Sequence, residues 1–144
     1  MNEQFAQRMS VAEVRRDTRI VAGLGQIYCA GHHDRSARTA LASDAVTLGV
    51  YGRRVPVLCP ECAEHIRYAE QRRAHCPKDP KPFCSHCDTH CYRSDEAEWQ
   101  RAMMRYAGPR SLFRGYAIPA LRHALEARKV RKTNAAHAAK TKEN

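Results

Sequence analysis

A dense group of cysteine and histidine side chains stands out in the sequence. The segment CSHCDTHC, from Cys84 to Cys91, holds three thiols and two imidazoles within eight residues. The other cysteines of the chain lie upstream: Cys29, Cys59, Cys62 and Cys76. Such residues could form a disulfide knot, bind metal or make a redox thiol centre. Chance clustering is the fourth interpretation, and the spacing of the residues ranks these alternatives.

The sequence favours metal or redox chemistry over disulfides. It contains no run of eighteen apolar residues, so we expect no membrane span. The opening stretch MNEQFAQRMSVAEVRR lacks the apolar block and small-residue cleavage site of a secretory signal. We therefore expect a cytoplasmic protein, and disulfides rarely persist in that reducing compartment. Seven cysteines also cannot all pair within one chain.

The separation between Cys62 and Cys76 divides the cysteines into two sets. These residues are fourteen positions apart, which is about 21 Å if one helix joins them. Because zinc–sulfur bonds are only about 2.3 Å long, the two thiols cannot share an ion. The first set has four thiols: Cys76, Cys84, Cys87 and Cys91. The second has three thiols and takes one of two histidines as its fourth ligand: Cys29, Cys59, Cys62 and either His32 or His33.

Antiparallel helices would assemble the three-cysteine set. Cys29 falls at the predicted C-terminal end of a first helix, whereas Cys59 and Cys62 fall at the predicted start of a second. Helices that pack side by side in opposite directions bring those ends together. In the alternative, the C-x2-C pairs at 59–62 and 84–87 share one zinc, which leaves the other three cysteines without a role.

Zinc is the metal that these ligands favour. Three cysteines and one histidine are a normal closed set for structural zinc. Four thiolates suit zinc or an iron–sulfur cluster, although C-x7-C-x2-C-x3-C differs from the ferredoxin run. We predict zinc as the cofactor, with an iron–sulfur cluster as the alternative at the four-cysteine set. The remaining nearby histidines are expected at the surface or in support of ligands: His65, His75, His86 and His90.

Helices are the elements expected to hold these ligands. The segment SVAE at 10–13 is a capping box that opens a first helix, which we expect to end near Gly31. Pro60 suits the first position of a second helix, which must stop before Pro77. Residues 34–57 are predicted to be a connecting loop with a short helical turn.

Two further helices are predicted after the cysteine cluster. One starts at residues 95–98 and is closed by Gly108 and Pro109, and Pro119 opens the last. The side chains expected in the core of this region are Trp99, Met103, Tyr106, Leu112 and Phe113.

The pattern as a whole predicts an all-α fold, a small helical domain with Cys/His metal-binding knuckles. Residues 1–9 are expected to be a flexible N-terminus. Residues 10–130 are expected to be a single cysteine-rich helical domain. Residues 131–144 carry little periodic apolar sequence, and we expect a disordered basic C-terminal tail.

The formal net charge of +10 favours an acidic partner such as nucleic acid. Arg105, Arg110, Arg114 and the basic tail would supply the binding surface. A zinc-dependent nucleic-acid-binding or regulatory module is therefore one alternative function, and an iron–sulfur redox protein is another.

The sequence has no glycine-rich nucleotide loop, paired acid–base motif or nucleophile constellation, so it gives no support for an enzyme. A further alternative is an adaptor protein that contains structural zinc.

Four segments occur together in order: IYCAGHH, LCPECAEHIRYAEQR, CPKDPKPFCSHCDTHCYR and MRYAGPRSLF. They resemble the nitrous oxide-stimulated promoter family of small bacterial proteins, and the resemblance covers about residues 14–128. Asp88 stands where the family pattern leads us to expect proline, and residues 34–57 form a longer loop than we expect.

The resemblance implies a cytoplasmic protein associated with nitric oxide and nitrosative stress, and it implies no reaction. Thiolates bound to metal stay nucleophilic, and their nitrosation or oxidation releases the metal. The sequence therefore leads to the hypothesis of a small metal-thiolate protein that senses, buffers or survives nitrosative chemistry.

Overall fold

The structure, a computed structural model, describes residues 2–78, 87, 89 and 91–142. The described residues are mostly helical, which confirms the all-α prediction. The helices are α1 (Glu3–Ser10), α2 (Ala12–His32), α3 (Asp44–Thr47), α4 (Pro60–Ala74), α5 (Ser94–Ser111) and α6 (Ala117–Lys142). A short 3-10 turn, Leu112–Arg114, follows α5. Two strands, β1 (Thr39–Ala40) and β2 (Val57–Leu58), pair antiparallel with Thr39 opposite Leu58.

Helix α2 lies at the centre of the molecule and packs against α4 and α5. Its buried face repeats at helical spacing, with Val14, Val21 and Leu24 among the core side chains. The close approach of α4 depends on Gly25, because a Cβ built there would lie 2.6 Å from Cδ1 of Ile66. The absence of a side chain at this position lets the two helices pack backbone against side chain.

Helix α4 begins and ends where the sequence predicts. Cys59 is its N-cap, and Pro60 occupies the first turn. The helix ends at Ala74, so its 15 residues span about 22 Å. It therefore holds Cys62 and Cys76 at opposite ends, as the division of the cysteines into two sets requires.

The connection between α2 and α4 is the predicted loop with a short helical turn. Ser43 caps α3, because its hydroxyl oxygen accepts a hydrogen bond from the amide of Val46 at 3.3 Å. Further along, the amide of Val57 donates to Oε1 of Gln26 at 2.9 Å, which ties β2 to α2. This bond brings the start of α4, and with it Cys59, to the C-terminal end of α2.

The N-terminal residues, expected to be flexible, form α1. Phe5 and Met9 lie one turn apart, and each is only 1% exposed because α1 packs against α2 and α4. Ser10 ends α1 instead of capping α2, since its hydroxyl donates to the carbonyl of Gln7 at 2.6 Å. Val11 precedes α2 without a side-chain cap, so the predicted capping box is wrong.

The end of α5 also departs from the prediction. The helix continues through Gly108 and Pro109 to Ser111, whose hydroxyl donates to the carbonyl of Gly108 at 2.6 Å. A proline so close to the helix end removes little of the hydrogen-bond ladder. Leu112 is 49% exposed and Phe113 is 92% exposed, so neither side chain belongs to the core.

Helix α6 covers residues 131–142, most of the range expected to be a disordered tail. It carries seven lysine and arginine residues against one glutamate, a net +6 out of the +10 of the whole chain. In the described part of the chain, no helix is both long and apolar enough to cross a membrane.

Candidate metal centre

The end of α2 and the beginning of α4 meet at a group of three cysteines and one histidine. Cys29 lies in the last turn of α2, and His33 follows that helix directly. Cys59 and Cys62 are the N-cap and a first-turn residue of α4. One ligand atom from each of the four residues lies within 4.8 Å of the others. This group could hold a metal ion.

The side chains of the group are close together and mostly buried. Nδ1 of His33 lies 3.2 Å from Sγ of Cys59 and 3.2 Å from Sγ of Cys62. Cys29 and Cys62 have no exposed surface, Cys59 is 5% exposed, and the His33 side chain is 25% exposed. Bonds of about 2.3 Å to sulfur and 2.0 Å to nitrogen place the ligand atoms of tetrahedral zinc about 3.5–3.8 Å apart. The observed separations are close to those values.

Backbone amides donate hydrogen bonds to two of the sulfurs. The amide of Cys59 donates to Sγ of Cys29 at 3.2 Å, and the amide of Cys62 donates to Sγ of Cys59 at 3.4 Å. Amides at the start of a helix have no acceptor within the helix, so they are available for this purpose. Both the hydrogen bonds and the positive end of the α4 dipole favour negatively charged sulfur.

Burial works against ionisation of Cys29 and Cys62. It raises the pKa of Cys62, and the negative charge of Cys29 raises that pKa further. Burial likewise raises the pKa of Cys29. Three thiols this close become thiolates together only when a cation offsets their charge, which is what a bound metal ion does. The donor set therefore fits a soft divalent cation.

The structure brings His33, and not His32, to the cysteines. Nδ1 of His32 is 3.0 Å from the carbonyl oxygen of Tyr28, and its ring stacks on Tyr28 with centroids 4.2 Å apart. His32 therefore packs against its own helix and is not one of the four residues, which corrects its inclusion among the candidate ligands. Because Nδ1 of His33 faces the sulfurs, Nε2 faces outward, 3.8 Å from Oε2 of Glu61. That distance is too long for a hydrogen bond.

An aromatic cluster, which the sequence alone does not link to the site, packs beside His33. The ring of Tyr28 makes edge contacts with His33, Trp99 and Tyr106 at centroid distances of 6.1, 5.6 and 5.9 Å. The guanidinium of Arg110 lies over the ring of Tyr106, 3.8 Å from the ring centroid. The available signal was positional, since Tyr28 directly precedes Cys29 and the segment MRYAGPRSLF contains Tyr106 and Arg110.

The four-cysteine set stays a prediction. Cys84 lies outside the described residues, as do His86 and His90. Cys76 is half-buried, and its carbonyl accepts a hydrogen bond from Nη2 of Arg8 at 3.2 Å. The thiol of Cys87 donates to the carbonyl of Thr89 at 3.4 Å. Cys91, the last member of the set, is exposed.

Two other predicted supporting histidines have defined surroundings. Nδ1 of His65 lies 2.8 Å from the buried carboxylate of Glu96, and its ring stacks on Trp99. His75 is exposed and caps the end of α4, with Nδ1 2.9 Å from the carbonyl of Gln71.

These features define a helical protein with a buried Cys/His group that could hold a metal ion. Residues 12–136 match the sequence profile of the nitrous oxide-stimulated promoter family, and the chain belongs to this family. The chain is also 36% identical over 76 residues to "Uncharacterized protein YgbA" of Escherichia coli (strain K12). That match covers 47% of this chain and 64% of the E. coli protein, less than two thirds of that relative's length. No solved structure gives a significant match.

Proposed function

We propose that the chain is a small cytoplasmic metal-thiolate protein that takes part in the response to nitric oxide and nitrosative stress. The observation that carries the proposal is the convergence of Cys29, His33, Cys59 and Cys62 within 4.8 Å. The description of the family, which refers to a nitrogen oxide, supports the link to nitrosative chemistry.

Zinc is the ion proposed for this group. Three thiolates and one imidazole in a closed, buried set are typical of structural zinc sites. Cys29 and His33 would hold the ion from α2, while Cys59 and Cys62 would hold it from α4. A bound ion would supply the positive charge that lets buried sulfurs remain thiolates, and it would join two helix ends into one unit.

The second cysteine set is proposed as a separate site. Cys76, Cys84, Cys87 and Cys91 would bind a second zinc ion, with an iron–sulfur cluster as the alternative. Support comes from the spacing of the residues and from the length of α4, which keeps Cys76 about 22 Å from the start of the helix.

The proposed reaction is transfer of a nitroso group from an S-nitrosothiol to a zinc-bound sulfur. The sulfur of Cys59, the one cysteine of its group with exposed surface, attacks the nitroso nitrogen. The S–N bond of the donor breaks, and the donor leaves as a thiolate. A nitrosated sulfur has lost its negative charge, so it is a poor ligand and the site releases its metal.

Metal analysis and a visible spectrum of protein purified without oxygen test the assignment of the metal. Two zinc ions per chain and a colourless protein are expected if both sets bind zinc. One zinc ion with iron, sulfide and a brown absorbance would indicate a cluster at the second set. Protein that contains no metal, and takes up none when zinc is added, would contradict the proposal.

The sensing reaction is tested by adding S-nitrosoglutathione to the zinc-loaded protein. Zinc release, followed with a coloured zinc indicator, is expected to rise in step with the loss of reactive thiols. Glutathione without the nitroso group is the matched control and should release no zinc. If the donor leaves metal, thiols and helix content unchanged, the sensing function is wrong.

The charge of α6 favours a second candidate, a zinc-dependent module that binds nucleic acid. A net +6 on one helix would attract phosphate groups. Binding to short duplex DNA or RNA should then weaken steeply with salt, and removal of residues 131–142 should reduce that slope. Affinity that does not change with salt would exclude this candidate.

A further inference from the structure

We propose that Cys59 and Cys62 form a disulfide with each other after the site reacts with an S-nitrosothiol, so that the segment CPEC is a redox modification site. The inference rests on the proposed function, because it describes the fate of the sulfurs once the metal has left. It goes further in naming the two sulfurs that pair and the product that they release.

The start of α4 places these two thiols on one helical turn. Cys59 is the N-cap and Cys62 lies three residues later, so both side chains project from the same face. The amide of Cys62 already donates to Sγ of Cys59 at 3.4 Å. Residues three apart on a helix have Cβ atoms about 5–6 Å apart, and a disulfide needs about 3.5–4.5 Å. Only the first turn has to tighten for the bond to form.

Cys29 is the competing partner, and its surroundings are less favourable for pairing. It lies on a different helix, so a bond from its sulfur to Cys59 or Cys62 would tie α2 to α4, whereas the 59–62 bond stays within the start of α4. Any movement of α2 toward α4 to form such a bond is opposed where Ile66 packs over Gly25, because the Cβ position of Gly25 is only 2.6 Å from Ile66.

The chemistry balances in two steps. In the first, the thiolate of Cys59 takes the nitroso group, and the donor leaves as its thiolate. In the second, the sulfur of Cys62 attacks the sulfur of Cys59, the S–N bond breaks, and the nitroso group leaves with both electrons and a proton as nitroxyl, HNO. The two cysteines lose two electrons in all, and the nitroso nitrogen gains them.

The disulfide would keep metal from binding again until it is reduced. It removes two of the four ligands at once, and both of them come from α4. A dithiol reductant that attacks either sulfur returns the pair to thiols, and the site then accepts zinc again. The modification is therefore a reversible block on the site.

Tryptic digestion distinguishes the 59–62 disulfide from a disulfide that involves Cys29. Cleavage after Arg54 and Arg67 gives the peptide 55–67, which contains Cys59 and Cys62, while cleavage after Arg19 and Arg35 gives the peptide 20–35, which contains Cys29. Zinc-loaded full-length protein is treated with S-nitrosoglutathione, remaining thiols are blocked with N-ethylmaleimide, and the peptides are weighed. We expect peptide 55–67 to lack two hydrogens and to carry no blocking group, with peptide 20–35 blocked at Cys29.

Two variants sharpen the test. The variant Cys29→Ser keeps both thiols of the pair and should still form the disulfide, even though its zinc site is incomplete. The variant Cys62→Ser should leave Cys59 nitrosated and should release no HNO, which a phosphine trap detects. A cross-link between peptides 20–35 and 55–67, or nitroso groups that persist on both sulfurs of the wild-type peptide, would overturn the inference.

Zinc release and disulfide formation are scored separately in the same sample. Release of zinc without the 59–62 disulfide would leave the proposed function in place and overturn the inference. Protein that holds no zinc would remove the proposed function, while the digest of the treated protein would still decide whether Cys59 and Cys62 pair.

Discussion

Two adjacent histidines follow Cys29 by one turn, and the surroundings of their rings separate their roles. Nδ1 of His33 lies 3.2 Å from two sulfurs, whereas the ring of His32 stacks on Tyr28 at 4.2 Å. The sequence could narrow the choice to this pair but could not decide between them, since the decision depends on where α2 ends. The helix stops at His32, and the extended backbone of His33 then turns its ring toward the start of α4.

Replacement of His33 by alanine should remove one of four metal ligands and weaken zinc binding by more than about 100-fold. Loss of a residue that only supports a ligand lowers metal affinity by about 10–100-fold, so the expected effect is larger. His32→Ala is the matched control and should bind zinc within a few-fold of the wild type. Competition with a zinc chelator of known affinity measures both. Equal affinities in the two variants would contradict the assignment of His33.

Glu70 is a buried carboxyl group in the C-terminal half of α4, eight residues after Cys62. It is 3% exposed, and its Oε1 accepts hydrogen bonds from the hydroxyls of Tyr51 and Ser43. Burial raises the pKa of Glu70, and the two hydrogen bonds oppose that rise in part. The folded protein therefore holds this proton more tightly than the unfolded chain does. Its contribution to stability is complete below about pH 4.3 and is lost as the pH rises through the folded-state pKa.

The variant Glu70→Gln keeps an acceptor for Tyr51 but has no titratable proton. We expect the stability of the wild type relative to this variant to fall as the pH rises from about 4 to about 7. Denaturant unfolding of both proteins in the same buffer at each pH gives that difference and cancels the pH dependence of the metal site. A difference that stays constant, or grows with pH, would show that Glu70 is not a buried acid of raised pKa.

At the scale of helices, the metal group depends on how closely α2 and α4 pack. Gly25 allows this approach, since a Cβ there would lie 2.6 Å from Cδ1 of Ile66. Gly108 offers a contrast, because it also lies in a helix but a Cβ there would meet nothing within 4 Å.

Gly25→Ala should therefore destabilise the protein by about 1–3 kcal/mol through overpacking. Gly108→Ala should stabilise it by about 0.5–1 kcal/mol, because alanine is the better helix former. The double variant Gly25→Ala with Ile66→Val, which lacks the clashing Cδ1, should recover part of the loss. Chemical denaturation measures all three, and a stabilised Gly25→Ala variant would contradict the close packing.

Helix α4 could be predicted because both of its ends have a local signal. Pro60 starts α4, and Pro77 forces it to stop early. The antiparallel packing of α2 and α4 was predicted from the need to bring three cysteines together. The helix α1 could not be predicted in this way, because its stability comes from burial of Phe5 and Met9 against distant residues. The exposure of Phe113 could not be predicted either. The local sequence around an apolar residue that follows a helix does not show whether its side chain is buried.

At the scale of the molecule, the metal group closes the chain between His33 and Cys59 into one loop. An ion bound there would stabilise the folded state only, since the unfolded chain does not hold the four ligands together. The apolar core between α2, α4 and α5 does not depend on the metal, so most helices should persist without it.

Removal of zinc with a strong chelator should lower the thermal midpoint while leaving much of the helical signal at low temperature. With free zinc at about 1,000 times its dissociation constant, the bound ion contributes about 4 kcal/mol. Circular dichroism melts before chelation, after it, and after zinc is added back provide the measurement. An unchanged midpoint in protein shown to be free of zinc would mean that the group does not stabilise the fold.

The division of the ligands between α2 and α4 also has a consequence during synthesis on the ribosome. His33 and Cys62 are 29 residues apart, and a ribosome adds about 5–20 residues per second, so about 1–6 seconds separate their appearance. During that interval Cys29 has neither its partner thiols nor the packing of α4 over it. The nascent chain, more than the finished protein, is thus the form in which Cys29 is open to attack by oxidants.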